Sequence, residues 1–196
     1  MTKALIGAGG FSREIMFHMG IPLMKCFVDD NFFKENDNNI RPLSEFNPQK
    51  YEVIIAIGNP TDRYNMFKKL PPETKYFTYI HPSAQIMDSK VNIGIGSIIC
   101  ANTIITTNVN IGEHSHLNLL TTIGHDTQIG NFFTTAPGAK ISGNCNIGNR
   151  VYFGTNSSVR EKINIVDDVT IGLNAGVVKD ITESGTYVGV PVKKLK

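Results

Sequence analysis

A period of six dominates this sequence. From Met87 to Val177 every sixth residue is apolar: Met87, Ile93, Ile99, Ile105, Ile111, Leu117, Ile123, Ile129, Ile141, Ile147, Phe153, Val159, Ile165, Ile171 and Val177, with Thr135 the one polar member. Two positions before each stands a small or apolar residue, such as Val91, Ser97, Thr103, Thr121, Ala139 or Cys145. An α-helix turns through about 600° in six residues, which scatters such a series around its circumference. Sheet hairpins do not keep unbroken hexads over this length. The Ile-Gly pairs at 93–94, 111–112, 129–130 and 147–148 are eighteen residues apart, or three sixes. The pattern predicts coils of three short flat strands joined by tight corners, a parallel β-helix filled by both inward sets of side chains. Glycine and asparagine after the large apolar residue suit corner conformations closed to most other residues.

The first eighty residues lack this period. "KALI" (3–6) reads as a short apolar strand and runs into "GAGGFSREI" (7–15), which begins a helix reaching about His18. "KCFVDD" (25–30) reads as a second strand ending in two acids, and "YEVIIAIGNP" (51–60) as a buried one. "TDRYNMFKKL" (61–70) reads as a helix with Thr61 as N-cap and Arg63 on its surface. Strand, glycine turn, helix and acid-ended strand open a nucleotide-binding α/β unit, although Ser12 stands where a third glycine is usual. The alternative is a tight turn with no ligand. "HPSAQI" (81–86) leads into the solenoid, so the expected domains are 1–80, Rossmann-like, and 81–196, β-helical.

Composition narrows the function. A net charge of +2 on 196 residues argues for neither nucleic acid nor an anionic membrane as partner. The stretch "MTKALIGAGG" is apolar too briefly for a signal peptide or a membrane span. Cys26, Cys100 and Cys145 are odd in number and scattered, which favours a reducing cytoplasm over a disulfide framework. His114 and His116 lack a second ligand cluster, so no metal is expected; they read as surface or inter-chain residues, and His81 as structural.

The chemistry concentrates in "TTIGHDTQIG" (121–130). His125 is two positions past the inward Ile123, outside the core and at a corner, with Thr107 and Gly143 eighteen residues to either side. A histidine there suits a general base near neutral pH. Gly143 would leave a hole in the wall and a bare N–H, suited to a thioester and its oxyanion. Asp126 either orients the imidazole, or points along the wall or toward a neighbouring chain.

Taken together, "IGAGGFSREI", "FVDD", "AIGNP" followed by Arg63, "LNLLTTIGHD", "PGAKISGN" and "GTYVGVPVKK" resemble, in order and spacing, the NeuD/PglD family of bacterial sugar acetyltransferases, over essentially the whole chain. The resemblance implies a left-handed β-helix, a homotrimer, and acetyl-CoA in the groove between neighbouring solenoids. It implies His125 as base, with Asp126 and Asn118 beside it, Asn118 being alternatively an ordinary corner residue. It implies a nucleotide-linked sugar held by Gly9, Gly10, Phe11, Asp29, Asp30, Gly58 and Asn59, and acetyl-CoA held by Gly143, Thr134, Thr155, Leu173 and Pro191. Phe11 and Ser12 replace a frequent His-Gly pair, and Thr134 stands where a second histidine can occur. The expected activity is N-acetylation of a nucleotide-activated amino-dideoxy sugar for surface glycans. Two rivals remain: O-acetylation of a sialic-acid-type sugar, and a non-catalytic trimeric scaffold, against which "GHD", Gly143 and the "GVPVKK" tail speak.

Overall fold

A computed structural model describes residues 1–35 and 37–195 and forms two compact units, Met1–Thr78 and Tyr79–Lys196. The second begins slightly before His81, because Tyr79 and Ile80 already pair with Ile98 and Ile99 as a rung of the solenoid.

The first unit is a parallel sheet of β1 (Thr2–Ile6), β2 (Cys26–Val28), β3 (Ile40–Pro42), β4 (Tyr51–Ile55) and β5 (Lys75–Tyr76), in the order β3-β2-β1-β4-β5. Ala4, Leu5, Ile6, Val53, Ile54 and Ile55 are all fully buried. A central parallel strand covered on both faces needs such an unbroken apolar run. Strand order reverses between β1 and β4, and ligands of open α/β sheets bind beyond the carboxyl ends of the strands at such a point. Helix α1 (Gly10–His18) follows β1, and α2 (Pro60–Lys69) follows β4. The cap of α2 is Asn59, not Thr61: its Oδ1 accepts from the N–H groups of Thr61 and Asp62 at 2.9 and 3.0 Å. Pro60 fills the first helical position, where no N–H is missed.

Ser12 explains the missing glycine. It is fully buried, and its hydroxyl donates to the Ala56 carbonyl at 3.3 Å, tying α1 to the end of β4. Gly7, at φ +109°, makes the turn that puts α1 there. Arg63 is not on the surface but wholly buried. Its guanidinium donates to the carbonyls of Ile57 (2.6 Å) and Gly58 (3.1 Å), pinning the loop after β4, and burial pushes its pKa down to about 9.

The second unit is a three-faced solenoid of mostly two-residue strands. Its first face contains Ile104–Ile105, Thr122–Ile123 and Lys140–Ile141; the second Asn110–Ile111, Gln128–Ile129 and Asn146–Ile147; the third His116–Leu117, Thr134–Thr135 and Tyr152–Phe153. Register is parallel with like residues stacked, Ile105 on Ile123 on Ile141. The core is the stack of inward side chains from Ile99 to Val177, with Val109, Ala139, Cys145 and Val151 between. Thr135 is tolerated inside because its Oγ1 lies 2.7 Å from that of Thr121 and accepts from the Asn118 N–H at 2.9 Å, leaving no bare polar atom. The first coil departs from the hexad. Ile86 stacks on Ile105, nineteen residues on, while Met87 is 58% exposed; one extra residue separates this rung from Ile93.

Corners are turned by residues in the left-handed region, three past the inward position: Asn102, Asn108, His114, Leu120, Asp126, Phe132, Asn144, Arg150 and others at φ 52–62°. The glycines directly after the isoleucines have another cause than the expected one. A Cβ on Gly94 would stand 2.4 Å from the Glu113 nitrogen, and one on Gly112 2.5 Å from the Gly130 carbonyl carbon. They are glycine because successive coils approach there.

Candidate active site

Thr122 and Ile123 end a rung of the first face, and the chain turns the corner onto the second through Gly124, His125, Asp126 and Thr127. Thr127 is buried inward, so His125 and Asp126 are forced outside. Their side chains are 59% and 45% exposed. The His125 Nδ1 lies 2.7 Å from the Asp126 Oδ2, so of the sequence alternatives the carboxylate takes the one toward the imidazole. Its other oxygen, Oδ1, accepts from the Asn108 Nδ2 at 2.7 Å. These bonds hold the Asp126 carboxyl below the ordinary carboxylate range, Asn108 first and His125 second. An ionised Asp126 fixes the proton of the neutral ring on Nδ1 and leaves the lone pair on Nε2.

Gly143 lies beneath that nitrogen. A Cβ there would stand 2.8 Å from Nε2 and 2.9 Å from Cε1. The hole expected to take a thioester is thus filled by the imidazole. Among the described residues nothing accepts the Gly143 N–H. At the equivalent position of the next corner, the N–H groups of Glu113, Asn131 and Asn149 each find an Asn or Asp side chain one coil on, at 2.8 Å. Below Gly143 that place is taken by Glu161, with no such bond. The corner therefore sets an imidazole, the carboxylate that orients it and a backbone N–H side by side.

The remaining solenoid residues lie elsewhere in this chain. Asn118 is at the far end of strand Thr122–Ile123, on the corner between the third and first faces; its Oδ1 accepts from the Leu119 N–H at 2.7 Å. Thr155 and Leu173 occupy later coils of that same corner, both exposed, and Pro191 is exposed in the tail. Thr134 is buried on the third face next to His116. His114 and His116 are buried rather than on the surface. Gly96 leaves room for the His114 ring, which stacks on Phe132 with centroids 5.1 Å apart.

The first unit carries a cleft of about 630 Å³ at its switch point, lined by Gly7, Ala8 and Gly9 after β1, Val28 at the end of β2 and Asp29 after it, Ile57 after β4, and Asp62, Asn65, Met66 and Lys69 along one face of α2, with Phe32, Lys34 and Ile40 at the side. The α1 N-terminus has no side-chain cap, and a helix N-terminus favours an anion. Of the seven residues expected here, only Gly9 and Asp29 line the cleft. Asn59 is used as helix cap, and the Gly58 carbonyl accepts from Arg63. Gly10 and Phe11 are in the first turn of α1. Asp30 turns to a shallower hollow, where its Oδ1 accepts from the Ser44 N–H at 3.0 Å. Asp29 itself is paired with Lys69 and accepts from the Asn31 N–H; these two bonds, Lys69 first, lower its pKa. Sequence reasoning missed Asn108, Lys69, Asp62 and Asn65. Asn108 was within reach as the residue eighteen before Asp126, and the others as the i, i+3, i+7 face of α2.

The PglD N-terminal domain family matches residues 4–70. The GDP-perosamine N-acetyltransferase of Escherichia coli O157:H7 is 30% identical over 165 residues, 77% of this chain and 74% of that protein. WeeI from Acinetobacter baumannii AYE superimposes with a TM-score of 0.87 at 28% identity over the whole of both chains. PerB from Caulobacter crescentus, solved with CoA and GDP-perosamine, does so at 0.87 and 23% identity over 100% of this chain and 98% of its own. The fold is a Rossmann-like α/β unit followed by a left-handed parallel β-helix. The chain belongs to the NeuD/PglD family of hexapeptide-repeat sugar acetyltransferases and is an acyltransferase with acetyl-CoA as its cosubstrate.

Proposed function

We propose that the protein N-acetylates a nucleotide-linked amino-dideoxy sugar for surface-glycan synthesis, with His125 as general base. The observation that carries the reading is the Asp126–His125 pair, with Nε2 held over Gly143. The sugar amine attacks the thioester carbonyl carbon, and Nε2 takes the proton the nitrogen sheds. The carbonyl oxygen becomes an oxyanion within reach of the Gly143 N–H. The C–S bond then breaks, and the CoA thiolate leaves to be protonated. Asp126 stabilises the imidazolium that forms between these steps.

In this reading the nucleotide occupies the cleft, with its phosphates at the α1 N-terminus and Lys69, and its base against Val28, Ile57 and the Asp62–Asn65 face of α2. The relative named for GDP-perosamine makes a GDP-linked amino sugar the first substrate to try. Asn118, Thr155 and Leu173 lie across the first face from His125, so they meet acetyl-CoA only if a second copy closes a groove against that corner. A cytoplasmic homotrimer supplies one.

The test incubates the protein with acetyl-CoA and GDP-, UDP- or dTDP-linked 4-amino sugars, or free sialic acid, and identifies products by mass. An N-acetylated nucleotide sugar is expected. Product from sialic acid alone would replace the reading with O-acetylation. Lys69→Ala is expected to raise KM for the nucleotide sugar by roughly tenfold, the size of one hydrogen bond to a charged group, with KM for acetyl-CoA unchanged. Equal rises in both constants would put the nucleotide elsewhere.

A further inference from the structure

The geometry points to Asn108 as a positioning residue of the acetyl transfer, acting through Asp126 on the His125 imidazole. The inference rests on His125 being the base and adds to that reading a third member from the preceding coil.

A surface histidine beside an exposed acid is a weak arrangement. Both side chains rotate in water, and one exposed ion pair adds little. The Asp126 carboxylate has two oxygens, and one bond to Nδ1 leaves the group free to swing. Here the other oxygen is taken. Asn108 stands one coil before Asp126 at the same corner position and donates its Nδ2–H to Oδ1 at 2.7 Å, while Oδ2 lies 2.7 Å from Nδ1. A carboxylate offers only acceptors, so the amide must present its NH₂. The carboxylate is thus held at both ends, and its direction is set by a residue of the preceding coil. The Asn108 bond also lowers the Asp126 pKa, favouring the ionised form that fixes the ring proton on Nδ1.

The same place in other coils shows that the corner does not itself require an asparagine. Residues 126, 144 and 162 share the position and its left-handed backbone as Asp, Asn and Lys. Asn108, at φ 52°, meets the backbone demand that Asn satisfies more readily than most residues, but glycine meets it as well. The two roles can therefore be separated. Asn108→Gly keeps the corner and removes the donor. Asn108→Asp keeps size and backbone tolerance but faces Asp126 with a like charge.

The experiment measures kcat, both KM values and melting temperature for Asn108→Gly, Asn108→Asp, Asp126→Asn and Asn108→Gly/Asp126→Asn, with His125→Ala alongside. Imidazole ¹⁵N spectra report the tautomer. Asn108→Gly is expected to lower kcat about tenfold. KM for acetyl-CoA and the melting temperature should stay near the parent's, and the Nε2–H tautomer of His125 should grow. Asn108→Asp is expected to lose at least as much. In the Asp126→Asn background, Asn108→Gly should cost nothing further, because interacting residues are not additive. Parental kcat in both Asn108 variants, or losses that simply add, would overturn the inference while a dead His125→Ala leaves the base in place. Near-parental turnover by His125→Ala would instead remove the base, and the inference with it.

Discussion

His125→Ala is expected to keep its fold and melting temperature and to lose at least about a hundredfold in kcat. The fold survives because the side chain contributes nothing to the stack of isoleucines; it is 59% exposed and its ring leans on a glycine. The rate falls because a positioned general base contributes about 10²–10⁴. An amine attacking a thioester forms a zwitterion, which reverts unless the nitrogen sheds its proton. Asp126→Asn should lose less, since it carries no proton in the reaction and only sets the tautomer and steadies the cation. Steady-state kinetics on both variants, with circular dichroism melts, decide the matter. A folded His125→Ala enzyme turning over near the parent rate would place the base elsewhere.

Two alanines at the same corner are expected to fail in opposite ways. A Cβ on Gly124 would stand 2.5 Å from the Gly143 nitrogen and 2.7 Å from the Ser142 carbonyl carbon, both backbone atoms of the next coil. Neither can yield without parting the coils, so Gly124→Ala should cost about 3 kcal/mol, at the upper end for over-packing, and roughly ten degrees of melting temperature. The three atoms nearest a Cβ on Gly143 all belong to the imidazole of His125, the end of a side chain free to rotate into solvent. Gly143→Ala should therefore melt near the parent temperature yet lose on the order of 10–10²-fold in kcat, as a displaced base leaves its reaction geometry. Thermal melts and kinetics on the pair test the assignment. Equal destabilisation by both would mean that the ring is not what occupies the space over Gly143.

The solenoid was legible because it has one rule, inward residues every sixth place, and each coil repeats its neighbour's environment. Ile105, Ile123 and Ile141 could be aligned before any contact was known. The frame failed only where the repeat starts, at Met87, since one extra residue shifts no composition and only pairing with the next coil exposes it. In the first unit the buried strands and both helices could be read from apolar runs and the glycine turn. The short strands β3 and β5 could not, because they hold their place by pairing with longer neighbours. Arg63 looked like a surface residue, as a charged residue near a helix start usually is; only the fold shows two carbonyls converging on it in the interior.

The site divides the same way. The sequence by itself determined the period of six, the position of His125 outside the core and its acidic neighbour, since alternation along a strand and adjacency in the chain are local properties. Tertiary structure decided what those groups touch: that Asp126 turns to Nδ1, that Asn108 holds its other oxygen, that Gly143 is the floor under Nε2, and that Asp29 faces Lys69 while Asp30 turns to Ser44. Apart from the His125–Asp126 pair, these contacts join residues distant in the sequence. Side-chain direction depends on which neighbouring group offers a partner; the stacking of the coils brings Asn108 and Gly143 to the His125–Asp126 corner, and the packing of α2 brings Lys69 to Asp29.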